Sequence, residues 1–299
     1  MTVESGDVVG TSERDASLRA IKNSPSYRLA HEDLDLLASD DLRAVRLQLE
    51  LLKPERQLQR HNVRSTVVVF GSARLLPEAQ ALLRLAELES DSGARAGDPS
   101  HQVRVARTRR QLAYARYYDE ARRLAEIVSR RFQQEGRCDF VVVTGGGPGI
   151  MEAANRGAFE AGARSIGLNI TLPHEQEPNP FITPELAFRF RYFALRKMHF
   201  LLRARALVAF PGGYGTLDEL FEVLTLVQTA KIPRLPIVLV GTEFWSRAVN
   251  FDYLVEEGFI DAKDLRLFTC VDTAEEVVSV LHAFYGGKPP VDEVAREQC

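Results

Sequence analysis

The sequence predicts an α/β domain built on a doubly wound parallel sheet with helices on both faces, preceded by an N-terminal helical extension. Three observations carry that prediction. From Thr66 onward, short apolar runs recur as TVVVF, DFVVVT, SIGLNI, ALVAF and LPIVLV. A strand open to water on one side alternates apolar with polar residues, so continuous runs of this length read as strands covered on both faces. Most of them end at a glycine, and stretches of helical periodicity separate them, which is the pattern of crossover connections between parallel strands. At 299 residues and 45% hydrophobic composition the chain has ample material for a buried core.

Taken in order, residues 1–65 read as a disordered head followed by one or two amphipathic helices. In LDLLASDDLRAVRLQLELLKPERQLQR the apolar positions recur at intervals of three and four, the spacing of a helix with one packing face. That stripe carries no chemistry of its own. The main domain is expected over residues 66–288. Its first connection is unusually long and contains LESDSGARAGDPSHQVRVARTRR, which reads as a polar, turn-rich insertion over about 83–110 before the helical YYDEARRLAEIVSRRFQQ. The arginines there fit a solvated loop and helix face, or a site for an acidic partner. A short polar tail follows at 289–299.

The second strand leads into TGGGPGIMEAANRGAFEAG, where Gly145, Gly146, Gly147 and Gly149 crowd the turn into a helix. Glycines let backbone N–H groups approach a ligand, and a helix N-terminus favours an anion, so the turn reads as a phosphate cradle. It is not a dinucleotide fingerprint, because no GxGxxG register is met and the next strand ends at Asn169 and Ile170 without the acidic residue that holds a ribose. A Walker A loop is missing as well. The fourth strand delivers a second such turn, PGGYGTLDE at 211–219, with Gly212, Gly213 and Gly215. Ligands of open parallel sheets bind beyond the carboxyl ends of strands, so the loops at Gly71, Gly145 and Gly212 are expected to converge on one crevice suited to a phosphorylated ligand. Thr216 and Glu219 admit two readings: a T-x-x-E capping box before FEVLTLV, or a carboxylate that does chemistry. Asp218 and Glu222 are further acids on that helix, either one a partner for Glu219. Glu152 fits a helix-dipole role, and Asn155 is open between structure and function.

Composition narrows the partners. A net charge of −3 and a pI near 6.1 give no global footprint for nucleic acid. The three cysteines are far apart and lack histidines at ligand spacing, so no metal site and a reducing compartment are expected. The start has no basic segment followed by an apolar stretch, and no apolar run approaches the roughly 18 residues of a membrane span. A cytoplasmic protein without membrane contact is the expectation.

GSAR at 71–74, TGGGPGIMEAANRGA at 144–158, the Arg196-Lys197 pair in RYFALRKMHF and PGGYGTLDE together resemble the LOG (Lonely Guy) family. The resemblance covers roughly residues 66–285, and the paired glycine motifs are specific in combination. It implies a Rossmann-like subunit, a homo-oligomer built from dimers, no cofactor, and hydrolysis of the N-glycosidic bond of a nucleoside 5′-monophosphate to free base and ribose 5-phosphate. The substrates implied are cytokinin riboside 5′-monophosphates and, for the longer bacterial form this chain looks like, AMP. The resemblance makes Arg196 and Glu219 the catalytic pair. It places Gly71, Ser72, Gly145, Gly146, Gly147, Gly149, Met151, Lys197, Gly212, Gly213, Gly215 and Thr216 around substrate and phosphate.

The chain departs from the RK-x-x-M pattern of many short members, running Arg196-Lys197-Met198-His199-Phe200, which puts the base pocket in question. His199 reads as a packed helix histidine or a proton donor. Two other classes of function stand beside the hydrolase. One is a nucleotide-binding sensor without turnover. The other is a decarboxylase with pyridoxal phosphate on Lys197 or Lys231, neither of which has a supporting motif.

Overall fold

The computed structural model describes residues 8–90, 98–134, 137–172 and 177–288. The expected disordered head falls in part on residues 1–7 and the polar tail on 289–299, outside the described residues. From Val8 the chain is helical. Two compact units meet in sequence between Leu52 and Lys53. The first holds α1 (Val8–Asn23), α2 (Leu34–Ala38) and the first part of α3 (Arg43–Arg60). α2 starts where the Asp33 carboxylate accepts the N–H groups of Asp35 and Leu36, both at 3.1 Å, which gives partners to two of the donors a helix start leaves unpaired.

In the second unit the last turns of α3 bury Pro54 and Leu58. A seven-stranded sheet follows, made of β1 (Thr66–Phe70), β4 (Val141–Thr144), β5 (Ser165–Ile170), β6 (Ala187–Phe190), β7 (Ala204–Ala209), β8 (Ile237–Val240) and β9 (Thr269–Val271). A two-residue antiparallel pair, β2 (Gln133–Gln134) with β3 (Arg137–Cys138), stands apart from it. The sheet order is β6-β5-β4-β1-β7-β8-β9, with every neighbouring pair parallel. The chain runs outward from β1 through β4 to β6, then returns to β7 on the other side of β1. The doubly wound sheet expected from the five apolar runs is therefore present, with β6 and β9 added at its edges.

Alternation along each strand sorts the core into two layers. Val68 and Phe70 of β1 join Val143, Leu168 and Leu207 on one face, under Phe200, Leu220, Val223 and Trp245. These covering residues come from α8 (Phe193–Leu201), α9 (Tyr214–Gln228) and α10 (Thr242–Ala248). Val67 and Val69 face the other way with Val142 and Val208, beneath α6 (Arg116–Phe132), α7 (Ile150–Glu160) and α12 (Ala274–Tyr285). Each large apolar side chain buried in this way contributes roughly 1.5–3 kcal/mol. α6 and α7 come so close that a Cβ on Gly157 would lie 1.9 Å from the Arg122 carbonyl oxygen. Tyr118 fastens the same pair by donating its hydroxyl to Glu152 at 2.9 Å, so Glu152 is a link between helices rather than a dipole partner alone.

The polar connection after β1 is helical on both sides of residues 91–97, which lie outside the described residues. α4 (Glu78–Ser90) and α5 (Pro99–Ala113) supply the helix face of the expected polar insertion. The reason lies in Asp98-Pro99: the carboxylate of Asp98 accepts the Ser100 N–H at 2.9 Å, and the proline at the first helical position is preset for the turn. α11 (Phe251–Glu256) precedes β9, and α12 is the last helix among the described residues. Among the described residues no helix is long and apolar enough to cross a membrane.

Candidate active site

β4, β1 and β7 lie side by side at the centre of the sheet, where the winding reverses, and their carboxyl ends release loops 145–149, 71–74 and 211–213. This is the switch point at which open α/β sheets bind ligands. The loops are joined by backbone hydrogen bonds: Ser72 donates its N–H to Pro211 O at 3.0 Å, and its own carbonyl accepts the Ile150 N–H at 3.1 Å. Together with the start of α9 they line a cleft of about 550 Å³. Gly71, Ser72, Gly145, Met151, Arg196, Gly213, Gly215, Thr216 and Glu219 all line it, and so do Phe70, Arg74, Phe193, Tyr214 and Leu217.

The first glycine turn contributes less to the cleft than its composition implies. Gly145 faces it: a Cβ there would come within 2.6 Å of Arg196 Nη2 and 2.9 Å of Met151 Sδ. Gly146, Gly147 and Gly149 do not line it. Gly146 and Gly149 have positive φ, 74° and 73°, and a Cβ on Gly149 would fall 2.3 Å from the Ser72 carbonyl oxygen. Those glycines serve the turn and its contact with loop 71–74. The turn is braced from behind by a buried network: Thr144 donates to Asn155 Oδ1 at 2.7 Å, Asn179 Nδ2 donates to the same oxygen at 2.9 Å and to Gly147 O at 3.0 Å, and Gly146 N–H donates to Thr144 Oγ1 at 3.0 Å. Asn155 is thereby assigned to structure. Asn179 went unnoticed in sequence, because an asparagine between two prolines in EPNPF has no periodic signal.

The second glycine turn is the open one. Gly213 and Gly215 would meet no heavy atom within 4 Å on gaining a Cβ, and neither has a positive φ. Gly213 occupies the N-cap position of α9, with no side chain capping the helix. The capping-box reading of Thr216 and Glu219 is overturned, since the helix begins at Tyr214 and Thr216 is already inside it, buried against Gly212. Gly212 itself stands behind the cleft wall for that reason. The start of α9 thus combines exposed backbone donors with open space, while the first N–H of α7 is already used by Ser72.

Arg196 and Glu219 enter the cleft from different helices. Arg196 on α8 donates Nε to the Leu168 carbonyl of β5 at 2.8 Å, and its guanidinium lies over the Phe200 ring, 5.2 Å from the centroid. Burial lowers its pKa, opposed by the Glu219 charge. Glu219 on α9 exposes 8% of its side chain. Burial pushes its carboxyl up to about 7, against the pull of Lys197 and then Arg196. Lys197 does not line the cleft. Its ammonium contacts Asp218 Oδ2 at 2.7 Å and Glu222 Oε2 at 2.9 Å, and lies 3.9 Å from Glu219 Oε1. Lys197, expected near the phosphate, thus stands in an ion cluster whose members Asp218 and Glu219 line the cleft while it does not. A pyridoxal lysine is disfavoured by the same contacts, and Lys231 is exposed and lines no part of the cleft. Among the described residues no group of three or more His, Cys, Asp or Glu side chains can hold a metal ion.

Residues 151–281 match a family model described as possible lysine decarboxylase. Cytokinin riboside 5′-monophosphate phosphoribohydrolase LOG7 of Arabidopsis thaliana is 31% identical over 174 residues, 56% of this chain and 73% of that protein. The chain belongs to the LOG family. The LOG enzyme of Oryza sativa subsp. japonica is 32% identical over 176 residues, 57% of this chain and 68% of that protein. Among solved structures, the molybdenum cofactor carrier protein of Chlamydomonas reinhardtii aligns with a TM-score of 0.42 at 17% identity, over 74% of this chain and 99% of that one.

Within the LOG motifs, the departure at RK-x-x-M now has a physical content. The position of the methionine is taken by Phe200, which is fully buried, packs edge-on against Phe70 at 4.8 Å and supports the Arg196 guanidinium from below. A desolvated cation–π contact of this kind is worth up to about 2 kcal/mol. Met198 does not line the cleft. His199 is buried beside Phe190, with Nδ1 3.8 Å from Glu55 Oε1, and does not line the cleft, which favours the packed histidine.

Proposed function

We propose that this protein hydrolyses the N-glycosidic bond of a nucleoside 5′-monophosphate, AMP or its N6-prenylated form, to free base and ribose 5-phosphate. The observation that carries the reading is one buried carboxyl, Glu219, on a cleft whose adjoining helix start is left without a cap and without side chains at Gly213 and Gly215. The uncapped start of α9 suits a phosphate dianion, because its N–H groups and dipole supply positive potential without a bulky side chain. Arg74, exposed on loop 71–74 and lining the same cleft, adds a positive charge there. Phe70, Met151, Phe193 and Leu217 offer apolar surface to a base.

In the reaction the C1′–N bond breaks, its electron pair leaves with the base, and a water oxygen bonds to C1′. One water proton goes to the departing base and the other stays on the new hydroxyl. Positive charge develops across C1′ and the ring oxygen as the base leaves. Ionised Glu219 stabilises that charge and orients the water, and the low-dielectric cleft strengthens both effects. Arg196 cannot act as a base at neutral pH. Its planar fork suits a ribose hydroxyl or phosphate oxygen and keeps Glu219 toward its ionised form. The names of the curated relatives support the substrate class.

The test is chromatography of protein incubated with AMP, other nucleoside monophosphates and isopentenyladenosine monophosphate, with Glu219→Gln alongside. Free base and ribose 5-phosphate from the wild type alone is the expected result, and relative rates rank the substrates. Nucleotide binding without base release from any of them replaces the hydrolase with a sensor.

A further inference from the structure

Lys197 follows Arg196 on α8, yet its side chain leaves the cleft and crosses to α9. There one ammonium meets three carboxylates: Asp218 at 2.7 Å, Glu222 at 2.9 Å and Glu219 at 3.9 Å. Only 19% of the lysine side chain is exposed. An ammonium has three donors, and two of them are committed to Asp218, which lines the cleft, and to Glu222, which does not. α8 carries Arg196 and α9 carries Glu219, so this ion cluster ties together the two helices that bring the reacting groups to the cleft.

We propose that Lys197 is a positioning residue that locks α8 to α9 and keeps the Glu219 carboxylate charged, and is not a ligand for the phosphate. The inference rests on the hydrolase reading for its kinetic consequences only. The groups facing Glu219 are Lys197 and Arg196 from α8 and Asp218 and Glu222 from its own helix, while Arg74 lines the same cleft. Burial drives Glu219 upward; Lys197 is the largest opposing influence and Arg196 the next, with Glu222 and Asp218 adding to the rise. Burial also disfavours the charged lysine, but hydrogen bonds from Lys197 to Asp218 and Glu222 outweigh it and leave its pKa raised. Asp218 and Glu222 thus keep the lysine protonated across the working pH range.

Two variants and two readouts test this. In Lys197→Met the acid limb of kcat/KM should move to higher pH by about one unit, with the KM for AMP little changed, while Lys197→Arg, which keeps the charge, leaves the limb in place. The second readout does not need turnover. Tm is followed against pH with and without the Glu219→Gln substitution, in both the wild-type and Lys197→Met backgrounds. The Tm difference between the two members of a pair grows as pH rises above the ordinary carboxyl range and levels off above the folded-state value of Glu219, so the levelling-off pH should be higher, by a similar amount, in the Lys197→Met background. If Lys197→Met unfolds, Lys197→Gln with Glu222→Gln removes the charge together with one of its partners and takes its place. A tenfold rise in KM with an unmoved limb overturns the proposal in favour of a phosphate ligand. Should the wild type release no base, the hydrolase reading fails, and the thermal series alone decides Lys197: an unmoved levelling-off pH overturns it and a raised one supports it.

Discussion

Glu219 is stored in the fold at a cost, and the sign of that cost is measurable. Its carboxyl goes from 4.5 to about 7 in the folded protein, so folding takes up a proton between those values. The contribution of the protonated acid is fully present below pH 4.5 and is lost as pH rises through 7. Above 7 the buried carboxylate therefore costs up to about 3 kcal/mol. Glu219→Gln should raise Tm at about pH 8 and leave it unchanged at about pH 4.5, while abolishing base release; thermal melts at both values check this. A variant that is less stable at the higher pH would contradict the burial argument. The glycines separate in the same way. Gly213→Ala and Gly215→Ala should keep or slightly raise stability, by up to about 1 kcal/mol for Gly215 inside α9, and weaken AMP binding at least tenfold, because the new methyl fills ligand space. Gly149→Ala should lose stability at once, since its φ of 73° and the Ser72 oxygen leave no place for a Cβ. Calorimetric binding and melts on all three distinguish the classes.

At the level of elements, the buried strands and the helices after them were legible because an apolar run covered on both faces has no polar residue to confuse the pattern. β6 and β9 were not, because AFRF alternates exposed and buried positions and TCV is three mostly exposed residues, with little apolar content to mark an edge strand. α5 lies in what reads as a polar, turn-rich insertion, although Asp98-Pro99 holds its start signal; the arginine-rich sequence after it has a weak apolar stripe, and the cap is the better witness. Gly157 lay in an ordinary helical pattern, and its purpose emerges only from the approach of α6. Gly157→Ala should force α7 away from Arg122 and cost about 1–3 kcal/mol, read as a lower denaturation midpoint. If the midpoint is unchanged, the two helices are not held as closely as described.

For the molecule as a whole, the convergence of three loops on one crevice could be expected from parallel topology alone, since a ligand site lies where the winding reverses. Which glycine turn opens more of its residues onto the cleft could not. Both turns are rich in glycine and carry a proline, and the difference lies in which N–H groups are already spent: Ile150 on the Ser72 carbonyl, but no side chain on the start of α9. That Lys197 stands outside the cleft lining was hidden for a similar reason, because adjacent residues on a helix point in different directions and only Arg196 of the pair lines the cleft.

The stitching of Ser72 to both Pro211 and Ile150 has a consequence for motion. Loop 71–74 is the middle strip of the cleft floor, and neither neighbouring loop can swing outward without breaking a backbone bond to it. The floor behaves as one cooperative patch, with amides that open to solvent together rather than one loop at a time. Breathing of the cleft is left to its far rim, where Tyr214 is 91% exposed and is held by no such bond to loop 71–74.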